Sequence, residues 1–161
     1  MKSTDIKLKL EKFSEKVESL EAENVFLVKD ISSWFEIAKF LKNDKELLFD
    51  YLMCITAYDL GDSKNFGIAY NFHSTKLKHS VEMRLEFEDG TEVKSVESLW
   101  KAADWHEREA FDMMGVTIVD HPDMKRILLP HDWEGYPLRK DYKTPDYYNG
   151  MPVPKDKSYW E

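Results

Sequence analysis

Residues 80–87, SVEMRLEF, alternate between apolar and polar side chains without a break. The apolar positions are Val81, Met83, Leu85 and Phe87. An alternation of period two predicts a β-strand that buries one face and leaves the other in water. Because a single strand cannot bury its apolar face alone, this stretch predicts a sheet with neighbouring strands.

Two runs upstream have the same character, and a predicted turn at Gly61, Asp62 and Ser63 separates them from each other. Residues 66–73, FGIAYNFH, alternate in a similar way. Residues 47–58 form a longer apolar run, whose predicted inner side consists of Phe49, Tyr51, Met53 and Ile55. Three strands joined by short turns predict an antiparallel meander.

Helical spacing is found before the meander. Residues 3–20 predict one amphipathic helix with an apolar stripe of Ile6, Leu10, Phe13, Val17 and Leu20. The β-branched run 25–28 predicts a short strand. Ser32 or Ser33 is then the expected N-cap of a second helix. Its predicted inner side is either Phe35, Ala38 and Leu41 or Trp34, Ile37 and Leu41.

Residues 95–114 predict a third helix, which ends before Gly115. Asp104, Arg108 and Asp112 recur every four residues on it, so we expect Arg108 to bridge both carboxylates in a structural ion network. Residues 1–120 are therefore predicted to form an α+β domain. It is a small, mainly antiparallel sheet with helices packed on one face.

The character of the chain changes in residues 121–161, which contain all six prolines. Proline at this density interrupts both helices and sheet ladders. The same stretch is nevertheless rich in aromatic and aliphatic residues, unlike a disordered linker. We therefore predict an extended, proline-rich C-terminal arm that buries its side chains on a partner. Its prolines reduce the entropy lost on docking.

Composition excludes several classes of function. The chain has 161 residues and a net charge of −8, which disfavours nucleic acid and anionic membrane surfaces as partners. It contains no apolar run long enough to cross a bilayer and no signal-peptide pattern, so no direct membrane insertion is expected. A single cysteine, Cys54, excludes an internal disulfide and a self-contained four-cysteine metal site.

The residues suited to chemistry form no complete site. His106 and Glu109 lie one helical turn apart, but the sequence has no second ligand pair of the kind used by di-iron helices. Phosphate-binding glycine motifs are absent. We therefore predict no catalytic, cofactor-binding or metal-binding residues in this chain. A stand-alone enzyme that uses His106, Glu107 and Glu109 as acid–base groups stays open as an alternative.

Residues 105–142 carry a longer pattern: ERE at 107–109, DMMG at 112–115, HPDMKRIL at 121–128 and DWEGYPLRKDY at 132–142. With its spacing kept throughout, this run resembles the signature of the C-type, or 30 kDa-subunit, family of proton-pumping NADH:quinone oxidoreductase, respiratory complex I. The departures are Met114 in place of the usual Phe, Tyr or Leu, Asp120 in place of Gly or Asn, and Met124 in place of Leu.

The resemblance implies an accessory scaffold in the hydrophilic arm of that complex, on the cytoplasmic side of the bacterial inner membrane. The complex transfers electrons from NADH through FMN and iron–sulfur clusters to quinone and translocates protons. Members of the family bind none of these cofactors and dock chiefly on the D-type subunit, which shares the quinone site. Related subunits of membrane-bound hydrogenases, formate hydrogenlyase and deazaflavin-dependent dehydrogenases are the alternative, and a free adaptor that binds peptides at its sheet edge is a third class.

Within the arm, we expect charge-assisted pairs and aromatic anchors to dock on the partner subunits. The expected docking residues are His121, Arg126, Trp133, Leu138, Arg139, Lys140, Asp141 and Tyr142.

Overall fold

The computed structural model describes residues 3–13, 15–62 and 64–153 of the chain. The last part of the predicted arm, residues 154–161 with Pro154 and Trp160, lies outside the described residues, as does Ser63 of the predicted turn.

A five-stranded sheet forms the centre of the fold. Its strands are β1 Val17–Ser19, β2 Val25–Val28, β3 Tyr51–Asp59, β4 Asn65–Ser74 and β5 His79–Glu88, and they lie in the order β1-β2-β5-β4-β3. The predicted meander is confirmed, because β4 pairs antiparallel with both β3 and β5. The predicted strand 25–28 is also confirmed, and it joins the sheet parallel to β5.

The first helix is shorter than the sequence predicts. Helix α1 is Ser3–Leu10 and is followed by a 3-10 turn at Glu11–Phe13, whereas residues 17–19 form β1. Val17 pairs with Val28 of β2 and is buried there. A valine placed three or four residues after helical apolar positions fits both periodicities, and here its pairing in the sheet determines the structure.

Helix α2, Trp34–Asn43, lies where the sequence predicts it, and Ser33, one of the two predicted residues, stands at its N-cap, although its side chain makes no capping hydrogen bond. Asp30 caps the 3-10 turn Ile31–Ser33 before the helix, where its carboxylate accepts the backbone N–H of Ser32 at 3.1 Å. The second predicted inner face is the correct one, with Ala38 added to it. The buried residues of α2 are Trp34, Ile37, Ala38 and Leu41.

The inner side of β3 differs from the predicted one. The pairing of β3 with β4 shifts between Leu52 and Cys54, which is a β-bulge. One extra residue reverses the alternation of side chains. Tyr51 and Met53 are therefore 52% and 44% exposed, whereas Leu52 is buried.

Helix α3, Ala103–Met114, also begins later than predicted. The backbone N–H of Val96 donates to the carboxylate of Glu107 at 2.8 Å, so the segment before α3 folds back against the helix instead of extending it. Gly115 ends the helix in the left-handed region at φ 71°, as expected for a glycine there.

Two small sheets complete the structure. Strands β6 Glu92–Lys94 and β7 Thr117–Val119 pair in parallel and flank α3 in sequence. In the arm, β8 Tyr147–Tyr148 and β9 Met151–Pro152 form a short hairpin.

An aromatic core joins the helices to one face of the central sheet. The ring centroids of Trp34 in α2 and Tyr70 in β4 lie 4.4 Å apart. Those of Phe72 and Trp100 lie 4.6 Å apart. Pairs at this spacing add about 1 kcal/mol each beyond the area they bury. The predicted α+β class, with a mainly antiparallel sheet, is thereby confirmed.

Candidate functional site

Asp112 is the main attachment point between α3 and the chain that follows it. Its side chain is fully buried in the last turns of the helix. One carboxylate oxygen accepts three backbone N–H groups, from Ile127 at 3.0 Å, Leu128 at 2.7 Å and Leu129 at 3.0 Å. The other accepts the guanidinium of Arg126 at 2.8 Å.

These donors decide the charge of Asp112. Burial alone favours the neutral acid, but the N–H groups of Leu128 and Leu129 and the Arg126 guanidinium outweigh it and hold the pKa of Asp112 below its ordinary value. Asp112 is thus a buried carboxylate that stays ionised and fixes residues 126–129 on the helix.

Arg108 makes a different set of contacts from those expected in the predicted network. Its guanidinium lies 3.7 Å from Asp104 and 3.3 Å from the carbonyl oxygen of Lys125, and it stacks on Trp105 at 4.9 Å. Asp112, the other predicted partner, is bound by Arg126 instead. The structure therefore brings Arg108 and Asp104 together and places Asp112 in a separate pair.

A buried polar group lies where the predicted arm begins. The imidazole of His121 is enclosed, with Nε2 3.4 Å from Asp104 and 4.0 Å from Glu107. Glu107 is fully buried and accepts the hydroxyl of Ser95 at 2.5 Å and the N–H of Val96 at 2.8 Å. Burial raises the pKa of Glu107 to about 7, although these two hydrogen bonds lower it.

Arg139 attaches the arm to the C-terminal end of α3 and to the residue that follows β5. It binds both carboxylate oxygens of Asp89, at 2.7 and 2.9 Å, and donates to the carbonyl oxygen of Met114 at 2.7 Å. Its guanidinium also lies 4.5 Å from the ring of Phe66 and 4.8 Å from that of Tyr136.

Main-chain bonds support the same attachment. The N–H of Leu138 donates to the carbonyl oxygen of Met113 at 3.1 Å. The N–H of Lys140 donates to the side chain of Asp59 at 2.9 Å. Asp59 is the last residue of β3, and Asp89 directly follows β5. No local pattern in the sequence marks either carboxylate as a partner of the arm.

The remaining predicted docking residues divide into two groups. Trp133 and Tyr142 contact each other, since the indole N–H donates to the phenol oxygen at 3.1 Å. Leu138 is 60% exposed, and Lys140 and Asp141 are exposed as well. The structure thus places Arg126, Arg139 and His121 in contacts within the chain, and leaves mainly Leu138, Lys140 and Asp141 open to a partner.

The candidate acid–base residues are not arranged as one open site. Glu107 is fully buried, whereas Glu109 is exposed on α3. Within residues 3–13, 15–62 and 64–153, no group of three or more His, Cys, Asp or Glu side chains is placed to hold a metal ion. None of the helices in these ranges has the length and apolar character needed to cross a bilayer.

The family of the chain follows from a comparison over most of its length. A family model described as the 30 kDa subunit of respiratory-chain NADH dehydrogenase matches residues 27–148. The chain belongs to this family. The matched residues include both Asp112 and Arg139, so the contacts between domain and arm lie inside the region that defines the 30 kDa-subunit family.

Individual relatives agree with this. A protein of Chloroherpeton thalassium, named as the C-type subunit of NADH-quinone oxidoreductase, is 44% identical over 150 residues, which are 89% of this chain and 62% of that protein. A protein of the same name from Chlorobium phaeobacteroides is 40% identical over 149 residues, 89% of this chain and 90% of that protein. The chain therefore spans less than two thirds of the first relative and most of the second.

A solved structure shares the fold of this 30 kDa-subunit family member. It is a chain of the membrane-bound sulfane sulfur reductase, an archaeal respiratory membrane complex, with a TM-score of 0.72 and 22% sequence identity. The match covers 87% of this chain and 84% of that one. At this identity the likeness concerns the fold alone.

Replacing Arg139 with alanine should lower the free energy of unfolding by about 2 kcal/mol and make the arm sensitive to protease. Most of the loss should come from the hydrogen bonds to backbone carbonyl oxygens and from the stacking on aromatic rings. The ion pair with Asp89 contributes less, because Asp89 is 47% exposed and the pair is screened by solvent. Lysine at position 139 should recover less than half of the free energy of unfolding lost with alanine, since one ammonium cannot bind both Asp89 oxygens and the Met114 carbonyl.

Denaturant unfolding and limited proteolysis measure both effects. Lys140→Ala is the matched control, because the hydrogen bond of this neighbour to Asp59 comes from its main chain and is kept in the variant. Equal losses for the two variants would show that Arg139 has no special part in attaching the arm.

Proposed function

We propose that this chain is a non-catalytic scaffold subunit in the hydrophilic arm of a proton-translocating NADH:quinone oxidoreductase. The family match over residues 27–148 is the observation that carries the proposal. The two relatives named as the C-type subunit of NADH-quinone oxidoreductase support it. In this function the chain binds no FMN, iron–sulfur cluster or quinone itself, and other subunits of the complex carry the electrons.

The surface around the arm supports a docking function. Trp105 is 62% exposed, and Leu128 and Leu138 are each 60% exposed. Aromatic and aliphatic side chains of this kind form the anchors of interfaces when a partner covers them. Asp112 and Arg139 hold the segments that carry the two leucines, so these segments are ordered before docking and lose little entropy on binding.

The partner that we propose is the D-type subunit, with the neighbouring hydrophilic-arm subunits, on the cytoplasmic side of the bacterial inner membrane. A second candidate function is the equivalent place in a related membrane-bound redox complex of the hydrogenase type. The shared fold with a chain of the archaeal sulfane sulfur reductase complex favours keeping this second candidate.

Affinity purification of the tagged chain from its native membrane tests the proposal. We expect flavin and iron–sulfur subunits of NADH:quinone oxidoreductase to co-purify with NADH-dependent quinone reduction. A chain recovered as a monomer without redox partners would refute the scaffold function, and a hydrogenase large subunit in their place would establish the second candidate.

A pair of variants tests the docking surface directly. Leu138→Asp should reduce recovery of the partner subunits about tenfold, because a charge would be buried at an apolar contact. Leu77→Asp is the control, since Leu77 is also partly exposed, at 39%, but lies in the turn between β4 and β5. Equal recovery for both variants would place the interface elsewhere on the chain.

A further inference from the structure

An open cleft in the arm has aromatic walls and an acidic rim. Its volume is about 230 Å³, and it lies between the segment 132–134 and the β8–β9 hairpin. The residues that line it are Asp132, Trp133, Glu134, Pro145, Tyr147, Tyr148 and Asn149.

Hydrogen bonds fix two of the aromatic walls. The indole N–H of Trp133 donates to Tyr142, and the hydroxyl of Tyr148 donates to Asp132 at 2.9 Å. The rings of Trp133 and Tyr148 meet with centroids 5.0 Å apart and planes inclined at 48°. The two inclined rings are held in place before a ligand binds, so binding does not cost the entropy of ordering them.

The charge of the cleft determines which guest fits. Its lining contains two carboxylates, Asp132 and Glu134, and no lysine or arginine. Among the described residues, the side chain of Glu134 makes no hydrogen bond or ion pair, and it is exposed at the rim. A bound cation is attracted both by the negatively charged rim and by the electron-rich faces of tryptophan and tyrosine.

We propose that this cleft receives a basic side chain, arginine or lysine, from a partner subunit. The inference rests on the proposed scaffold function and specifies one contact within it. Exposed apolar side chains favour a protein over a small free cation, because Tyr147 in the lining and Met151, which pairs with Tyr148 in the hairpin, are 69% and 63% exposed. A polypeptide that inserts a basic side chain covers these residues too, and arginine combines stacking with hydrogen bonding to carboxylates.

The test uses the full chain, tagged and assembled in its native membrane complex. Glu134→Lys should reduce recovery of the partner subunits about tenfold, and Glu134→Gln about threefold, because the first repels the basic guest and the second only loses attraction. Glu92→Lys is the matched control. Glu92 is an exposed glutamate on β6 whose side chain makes no hydrogen bond or ion pair among the described residues, and its variant should assemble within about twofold of the unmodified chain.

A photoreactive benzoylphenylalanine at position 147 identifies the guest. In the assembled complex it should crosslink to a partner peptide with arginine or lysine within a few residues of the linked position. A crosslink to residues 154–161 of this chain, to a peptide without a basic residue, or to nothing would overturn the proposal. Assembly of Glu134→Lys at the level of Glu92→Lys would overturn it as well.

Failure of this inference and failure of the proposed function are distinguishable. If the unmodified chain does not co-purify with redox subunits, both are lost. If it does and the Glu134 variants assemble normally, the scaffold function stands and only the basic-side-chain contact is refuted.

Discussion

Replacing Asp112 with alanine should lower the free energy of unfolding by about 3–5 kcal/mol and release residues 126–129 from α3. The substitution removes the acceptor of three backbone N–H groups and the only counter-ion that contacts Arg126 among the described residues. A buried charge that loses its partner is the expensive case, whereas losing a solvent-exposed pair costs little.

Two other substitutions calibrate this result. Asp112→Asn keeps one oxygen acceptor but loses the charge, so we expect about half of the loss seen with alanine. Asp123→Ala is the control in the same segment, because Asp123 is exposed and its carboxylate pairs with exposed Lys125. It should leave the free energy of unfolding almost unchanged, because an exposed pair is screened by solvent. Similar losses for the alanine variants at 112 and 123 would show that Asp112 does not hold the arm.

Measurement at low pH provides an independent check. The pKa of Asp112 is lowered in the folded protein, so its contribution to stability is complete above the ordinary carboxyl pKa. That contribution should disappear as the pH falls through the lower, folded-state value. The free energies of unfolding of the original chain and the Asn variant should therefore differ by the full amount above about pH 5 and converge as the pH falls.

Where the chain encodes structure locally, the sequence predicts it. The alternation in residues 80–87 corresponds to β5, because the side-chain period of a strand is visible in consecutive residues. Val17 belongs to β1 and not to a helix, because its pairing with Val28 is a contact that helical spacing cannot reveal. The bulge at Met53 is likewise set by the pairing with β4.

The contacts that attach the arm to the domain likewise join residues far apart in sequence, which local spacing does not reveal. The sequence predicts that Arg126 and Arg139 bind a partner, yet Arg139 meets Asp89, which is 50 residues away in sequence, and Lys140 meets Asp59, 81 residues away. The spacing of Asp112 predicts a pair with Arg108 one turn earlier. A buried carboxylate is most stable where several hydrogen-bond donors reach it. The three N–H groups of residues 127–129 satisfy Asp112 better than one side chain on the same helix would.

Glu107 should make the protein less stable as the pH rises through neutrality. Burial raises its pKa to about 7 from an ordinary value of 4.5, even though Ser95 and Val96 donate hydrogen bonds to it. Between these two values the folded chain holds a proton that the unfolded chain has released. The contribution of Glu107 to the free energy of unfolding must therefore fall with increasing pH across this window, by about 3 kcal/mol at most.

Glu107→Gln removes this dependence. The amide oxygen can accept the Val96 N–H, and the amide nitrogen can donate to the Ser95 hydroxyl, so both positions of the buried group stay bonded. We expect the variant to exceed the original chain in stability only slightly near pH 5 and by the full difference near pH 8. Asp104 and His121, which also face this group, are present in both proteins.

Denaturant unfolding at several pH values between about 5 and 8 measures the difference. Glu109→Gln is the matched control, because Glu109 lies two residues away on the same helix but is exposed. It should preserve the pH slope of the original chain, because this substitution leaves the buried carboxyl of Glu107 in place. If Glu107→Gln shows the same slope as the Glu109 control, the buried group titrates outside this window and the assigned pKa direction is wrong. Loss of the fall in stability with pH in Glu107→Gln, but not in Glu109→Gln, would identify Glu107 as the group that links proton binding to stability at the contact between α3 and His121.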